Sequence, residues 1–180
     1  LTERIRGDGQ TTRFLHGAFD TLRQVVDPLG ASTQFGYDLA GRLDTVTNAA
    51  GQQWTFRHDP AGRLLAQLDW AGRETRYDRD VLGRVAVKRM PDGAEQRFEW
   101  DARDRIVRVI AGDDAITYRY DEQDRLTGAT SWLLAAGVPT QIADVELSYD
   151  DKGRIVSETQ NGMAVTYRYD AAGRCIGRSS

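Results

Sequence analysis

One landmark returns along this chain at nearly constant spacing, and that periodicity restricts the fold more than any other property. With Asp38 of Tyr37-Asp38-Leu39-Ala40-Gly41-Arg42-Leu43 as position zero, the same slot holds Asp59, Asp80, Asp101, Asp121, Asp150 and Asp170. The intervals are 21, 21, 21, 20, 29 and 20 residues. A further step of 21 back from Asp38 reaches Gly17, in a decayed copy that keeps the frame without the Asp, so eight copies are visible. A fixed period in this range marks repeat architectures, in which each unit is one supersecondary element that buries its surface only against its neighbours.

The frame organises other columns. Three residues before position zero stand Phe14, Phe35, Phe56, Tyr77, Phe98, Tyr118, Leu147 and Tyr167. Immediately before it are His16, Tyr37, His58, Arg79, Trp100, Tyr120, Tyr149 and Tyr169. A spacing of two puts both columns on one strand face. An apolar column, Leu22, Leu43, Leu64, Val85, Ile106, Leu126, Ile155 and Cys175, follows five residues after. The position four after carries Arg42, Arg63, Arg84, Arg105, Arg125, Arg154 and Arg174. Glycine occupies the third position after the Asp as Gly41, Gly62, Gly83, Gly153 and Gly173. Asp first and Gly fourth is type I turn chemistry. A second set of turns lies half a unit away, at Asp27-Pro28-Leu29-Gly30, Asn48-Ala49-Ala50-Gly51, Asp69-Trp70-Ala71-Gly72 and Pro91-Asp92-Gly93.

Two turns per unit define a hairpin. Four turn residues, a strand of six such as 42–47, four more turn residues and a strand of seven such as 52–58 sum to the 21-residue period. The turn signals interrupt any helix of ordinary length, and the segments between them are rich in Thr, Val, Tyr, Phe and Trp, which favour strand. A lone hairpin is marginal in water, so successive units are expected to pair edge to edge. The expected fold is all-β: about fifteen strands forming one long curved sheet of tandem antiparallel hairpins, since twisted sheets of more than roughly ten strands tend to curl, split or flatten. Alternation in the first strands is imperfect, as in Leu64-Leu65-Ala66-Gln67, which fits a sheet facing a partly wet interior better than a sandwich core.

The repeated YDxxGRL pattern, with an aromatic residue three before the Asp, resembles the Rhs/YD-repeat proteins over essentially all of residues 1–180. Tyr37-Asp38 to Leu43 and Tyr120-Asp121 to Leu126 are its clearest instances, the latter with Asp124 in place of Gly. The resemblance implies a β-strip wound into a hollow spiral cocoon, with this chain as one continuous segment of the array in a larger protein. It also implies a linked C-terminal toxin domain and further Rhs repeats as partners, with secretion-machine spike or adaptor proteins in addition. Members of the family commonly deliver that toxin into rival bacteria through a type VI machine, so the implied location is secreted or delivered from a bacterial cell. A carbohydrate-binding or cell-contact YD surface is the alternative. Tyr37, Trp100, Tyr120, Tyr149 and Tyr169, with the Asp, Gly and Arg columns, are read as structural repeat positions.

Chemistry has little to draw on. The Asp ladder could be imagined as the paired carboxylates of a glycoside hydrolase, but a carboxylate that recurs at each turn start serves the turn backbone. His16 and His58 stand in the ring column, which makes them aromatic replacements before they are bases or ligands. Cys175 is alone, which leaves no internal disulfide and no cysteine-based metal site. The serines show no nucleophile setting. No catalytic, cofactor-binding or metal residue is assigned. Asp27-Pro28-Leu29-Gly30 superficially resembles the boundary that precedes toxins of this family, but it fills an ordinary second-turn slot and is followed by Ala31.

Charge gives the same answer. The net charge is -3, with basic residues dispersed among acidic ones, unlike a nucleic-acid footprint. Only Lys88 and Lys152 are lysines, so the positive charge is almost all guanidinium, which pairs with carboxylates and stacks on rings. The Arg ladder is accordingly expected to lie against neighbouring aromatic and carboxylate groups and fix register, with an anion-binding stripe as the other reading. No apolar run approaches membrane-spanning length. The chain opens Leu1-Thr2-Glu3-Arg4 with no address, so it reads as an excerpt. The 29-residue interval adds a largely apolar insertion near 131–139 containing Trp132, Leu133 and Leu134. It suggests either contact with cargo or another shell segment, or a longer hairpin packed on its own sheet.

Overall fold

The computed structural model describes residues 2–179. Its strands are β1 (Thr2–Ile5), β2 (Thr11–His16), β3 (Leu22–Val26), β4 (Ser32–Tyr37), β5 (Leu43–Thr47) and β6 (Gln53–His58). They continue with β7 (Leu64–Leu68), β8 (Glu74–Arg79), β9 (Val85–Arg89), β10 (Glu95–Trp100), β11 (Ile106–Ala111) and β12 (Asp114–Tyr120). The last are β13 (Leu126–Leu133), β14 (Thr140–Tyr149), β15 (Ile155–Gln160), β16 (Met163–Tyr169) and β17 (Cys175–Ser179). All seventeen belong to one antiparallel sheet, two strands more than the repeat arithmetic suggests. The helical content of the described residues is two short 3-10 turns, Ala18–Asp20 and Ala135–Gly137.

By internal contacts the described residues form two compact units, 2–79 with 88–93, and 80–87 with 94–179. In the first, β1 to β8 each pair with the next strand in sequence. In the second, β10 to β17 do the same. Each unit is a meander, so every long-range pairing is made between sequence neighbours.

The turns need glycine for a backbone reason. In Asp38 to Gly41, the Gly41 N–H donates to the Asp38 carbonyl at 3.0 Å, and the Asp38 N–H donates to Arg42 O at 2.9 Å. Gly41 has φ +78°, the left-handed region that a β-carbon disfavours. This is a type I turn extended by a left-handed residue, the commonest three-residue hairpin loop. Where Gly is missing, Asp104 and Asp124 take the slot at φ 59° and 62°, as Asp tolerates better than most residues. The 20-residue intervals have a separate cause. There the second turn shrinks to two residues, Gly112-Asp113 between paired Ala111 and Asp114, and Asn161-Gly162 between Gln160 and Met163.

A register shift precedes the YD turn in seven hairpins, between Leu15 and His16, Gly36 and Tyr37, Arg57 and His58, and at the matching sites before Trp100, Tyr120, Tyr149 and Tyr169. In the second of these, Gly36 pairs with Thr45 but Tyr37 pairs with Leu43, so Asp44 is passed over. This bulge accounts for the imperfect alternation of the first strands: one extra residue inverts the side-chain phase midway.

The insertion lengthens a hairpin. Trp132 and Leu133 lie in β13 opposite Ala115 and Asp114, and the Leu134 N–H donates to Asp113 O at 2.6 Å. The Trp132 indole donates to Thr117 Oγ1 at 3.0 Å. Beneath the extension sits a polar node that sequence reading missed. Thr130, 2% exposed, donates to Asp144 Oδ1, Arg119 Nη1 donates to Thr130 Oγ1 at 2.7 Å, and Asn161 Oδ1 accepts the Asp144 N–H at 2.8 Å. Gly128 makes room for it, since a β-carbon there would stand 2.4 Å from an Arg119 guanidinium nitrogen.

Little apolar surface is fully enclosed. Among the described residues the buried hydrophobic side chains are Ala66 in the first unit and Ala115 in the second. Most strand residues are half-buried, covered by cross-strand neighbours rather than by a second layer.

Gly41 isolates the backbone effect, because a β-carbon added there meets nothing within 4 Å. Gly41→Ala is expected to lower the unfolding free energy by roughly 1–2 kcal/mol and Gly41→Asn by less, read from urea midpoints. Equal stability of all three proteins would contradict the turn assignment.

Candidate functional site

The repeat columns converge on one contact set made between consecutive units. It starts at the aspartate. Asp38 Oδ1 accepts the backbone N–H groups of Ala40 and Arg42, both at 2.9 Å, which holds the turn closed. Its Oδ2 accepts Arg42 Nε at 2.6 Å. The same Nε contact recurs from Arg63 to Asp59, Arg84 to Asp80, Arg105 to Asp101, Arg125 to Asp121, Arg154 to Asp150 and Arg174 to Asp170, at 2.6 to 2.8 Å.

With Nε fixed, the rest of the guanidinium points at the following unit. Nη1 of Arg42, Arg84, Arg105 and Arg125 donates to the backbone carbonyl of Asp59, Asp101, Asp121 and Asp150 in turn, at 2.9, 2.9, 3.2 and 3.4 Å. Its plane covers the next ring: Arg84 over Trp100 at 5.6 Å, Arg105 over Tyr120 and Arg125 over Tyr149 at 4.7 Å, and Arg154 over Tyr169 at 4.5 Å. Such stacking is attractive through the ring quadrupole.

The ring returns the contact. Tyr37, Tyr120, Tyr149 and Tyr169 hydroxyls donate to the carbonyls of Leu22, Ile106, Leu126 and Ile155, the apolar column of the preceding unit. The Trp100 indole donates to Val85 O at 2.8 Å. Arg79, which replaces the ring, sends Nη2 to Leu64 O at 2.9 Å, so the slot selects for a long donor as well as for a ring. In the decayed first unit, Arg23 supplies the guanidinium over Tyr37 at 5.4 Å.

The Gly positions complete the assembly. Gly62, Gly153 and Gly173 lie within 4.0 Å, at their β-carbon positions, of the guanidinium ends of Arg42, Arg125 and Arg154. Where Asp substitutes for Gly, it takes a bond from the same direction: Arg84 Nη1 reaches Asp104 at 2.8 Å and Arg105 Nη1 reaches Asp124 at 2.7 Å. Gly41 and Gly83 occupy the same left-handed slot at φ +78° and +87°. His16 is exposed and His58 half-buried in the ring column. No cluster of three His, Cys, Asp or Glu able to hold a metal occurs among the described residues. Trp132 and Leu134 are half-buried and Leu133 is 38% exposed, on the extended hairpin and apart from the clamp.

The electrostatics follow from the bonding. In Asp38, Asp59, Asp150 and Asp170 the backbone N–H of the Arg four residues on is the main influence holding the carboxyl below its ordinary range, with the guanidinium adding to it. In Asp80, Asp101 and Asp121 partial burial is the largest influence and pulls upward, but the combined bonds and charge of the partner Arg outweigh it. Asp69, in a second turn, is lowered chiefly by the Arg73 guanidinium.

These carboxyls are more acidic folded than unfolded, so their stabilisation is present in full above the ordinary Asp value of about 3.9 and is lost as pH falls through the lower folded values. Urea midpoints measured from pH 7 down to pH 2.5 are expected to fall steeply below about pH 4. Asp150→Asn should start lower at pH 7 and converge on the parent protein in acid. A constant gap between the two curves would mean that the carboxylate charge contributes nothing.

Comparison with known proteins agrees with this geometry. The teneurin YD-shell profile matches residues 55–180, and the RHS repeat profile matches residues 18–52. The sequence matches no curated protein. Similar solved structures include a Photorhabdus luminescens Tc holotoxin pore, at TM-score 0.71 and 18% identity over 91% of this chain and 10% of that one. A TcdB2–TccC3 structure without its hypervariable C-terminal region gives TM-score 0.71 at 17% identity, over 92% of this chain and 10% of the other. TcdB2–TccC3 itself gives 0.70 at 17% identity, over 88% and 10%. At these identities the likeness is one of fold, and this chain spans about a tenth of the length of the chains it matches. With the YD-shell profile covering more than half of its residues, the chain belongs to the Rhs/YD-repeat proteins, in their teneurin YD-shell family.

Proposed function

We propose that residues 1–180 are one stretch of wall in an Rhs-type toxin shell, which encloses a linked C-terminal toxin domain until delivery into a target cell. The observation that carries this reading is a sheet built by repetition with scarcely any core of its own. Ala66 and Ala115 are the buried hydrophobic residues of its two units, while the Asp, Arg and ring columns are engaged in joining one hairpin to the next. Such a surface encloses or supports something rather than catalysing a reaction. Family membership favours a shell, and the similarity to a TcdB2–TccC3 structure from which a hypervariable C-terminal region is absent favours a variable cargo as a separate part of such proteins.

In this proposal the segment performs no chemistry and holds no cofactor, and its partners are the toxin domain and further repeats of the parent chain. Export from a bacterial cell is part of the same reading. A type VI spike or adaptor, serving competition between bacteria, is its narrower form, and the Tc holotoxin likeness gives a Tc-type assembly equal standing. No helix of the described residues is long and apolar enough to cross a membrane.

The test uses the full-length parent protein. Limited proteolysis at neutral pH is expected to leave the C-terminal domain protected, and Arg105→Ala with Arg125→Ala should expose it by loosening two adjacent clamps. Cleavage at the same rate with and without the repeats would overturn encapsulation, and glycan or cell binding by the isolated array would favour the surface-module reading. Trp132→Ser with Leu133→Ser is expected to weaken the extended hairpin by on the order of 2 kcal/mol while leaving cargo retention unchanged. Loss of retention at unchanged stability would instead make this hairpin a cargo contact.

A further inference from the structure

The extended hairpin is covered along one edge and bare along the other. On the β13 side, pairing with β12 runs to Leu133 opposite Asp114, and the Leu134 N–H donates to Asp113 O, so that edge is occupied up to the hairpin tip. On the β14 side, pairing with β15 stops at Val145 opposite Gln160. One residue further the neighbouring turn closes it: the Asn161 N–H donates to Asp144 O at 2.9 Å, and Asn161 Oδ1 accepts the Asp144 N–H at 2.8 Å. From Ala143 back to Thr140, β14 is held by β13, and no strand among the described residues pairs with its other edge there. Thr140, Gln141 and Ile142 are exposed, Ile142 to 60%. The result is a notch four residues long, about 13 Å of strand, with the Asn161-Gly162 turn as its floor.

We infer that the β14 edge over residues 140–143 is a binding site for a short extended segment of another protein, uncharged and apolar at its centre, which adds a strand beside β14. A strand edge presents main-chain N–H and C=O groups in a row, and what satisfies such a row is another extended backbone. The length is set at one end by Asp144, whose main-chain groups already have partners, and at the other by Pro139, which has no N–H to offer. Charge sets the chemistry. Residues 126–143 carry no ionisable side chain, the longest such run in a chain that is 28% charged. Natural edges that avoid partners commonly bear charge, lysine above all, whereas this one bears Thr140, Gln141, Ile142 and Ala143. Ile142 is the apolar contact on offer. Ser131 pairs with Ala143 and Trp132 with Gln141, so the ladder passes Ile142 over and leaves it uncovered.

Other occupants fit less well. None of the repeated Asp, Arg or ring columns lies at this end of the strands, so the notch has no clamp through which a further repeat would be held. Four residues of edge bury far less than the roughly 1,000 Å² that keeps two folded copies together, while an extended segment has only the edge to match. The site stands whether or not the array encloses a toxin.

The test uses the full-length parent protein and, as probe, the blocked peptide acetyl-Ser-Thr-Val-Thr-Ile-Thr-Ser-amide. Hydrogen exchange read by mass spectrometry is expected to slow saturably on fragments covering residues 140–143 when the peptide is added, and nowhere else in residues 1–180. Ile142→Lys should weaken binding by about tenfold, through a lost apolar contact and an added charge. Inserting Thr-Val-Thr-Val on each side of Asn161-Gly162 lengthens the β15–β16 hairpin until its own strand fills the notch, and should abolish the response. Unchanged exchange, protection elsewhere, a response that persists in the lengthened protein, or equal binding of a peptide with lysine in place of its isoleucine would overturn the inference. Self-association of the parent protein that the lengthened hairpin abolishes would overturn the choice of occupant.

Discussion

The bond from each turn aspartate to the arginine four residues later is the contact on which the rest of this sheet depends. One carboxylate oxygen closes its own turn through backbone amides, and the other fixes Nε of the arginine. A free arginine side chain carries substantial rotamer entropy. Tethering it by Nε leaves its two terminal nitrogens and its flat face directed outward, at the place where the next hairpin must arrive. A local interaction spanning four residues is thereby converted into longer ones, spanning 17 residues from Arg42 to the Asp59 carbonyl and 16 from Arg84 to the Trp100 ring. The ring closes the circuit by donating back to the preceding first strand.

This economy explains how a sheet with so few buried side chains is assembled. Pairing is between neighbours in sequence, and the side-chain clamp works in the same direction as the backbone ladder, so each added hairpin is fixed by main-chain and guanidinium bonds together. Burial is spread thinly over half-covered strands. Thr130, a buried polar residue, is satisfied by Asp144 and Arg119, which places a side-chain bonding node where the insertion distorts the regular unit.

Much of this was legible in the sequence because a repeat presents each position several times. The strands, the turns, the Asp and Arg columns and the resemblance to YD-repeat proteins all follow from one frame. What escaped was geometry that identical residue letters do not encode. The bulge before each YD turn is visible only as imperfect alternation, as at Leu64-Leu65, because a one-residue phase change looks like noise in a strand of five. The two-residue turns carried a signal, Asn161-Gly162, that the four-residue template obscured. The partners of the Tyr37, Tyr120, Tyr149 and Tyr169 hydroxyls could not be read, since each is a backbone carbonyl 14 to 23 residues back and leaves no mark on residue type. Arg79 shows the converse: it breaks the ring column yet makes the column's hydrogen bond.

The two ends of the strands tolerate change unequally. At the YD end, the stretch from Asp to Arg is five residues long in all seven copies that carry the Asp, because tether, turn and stack share the same atoms. At the opposite end the connection ranges from two residues at Gly112-Asp113 to a long apolar hairpin tip around Ala135–Gly137. A lineage built on this plan has one fixed hem and one free hem, and new binding surfaces can be sewn to the free hem without any stitch of the fixed one being undone.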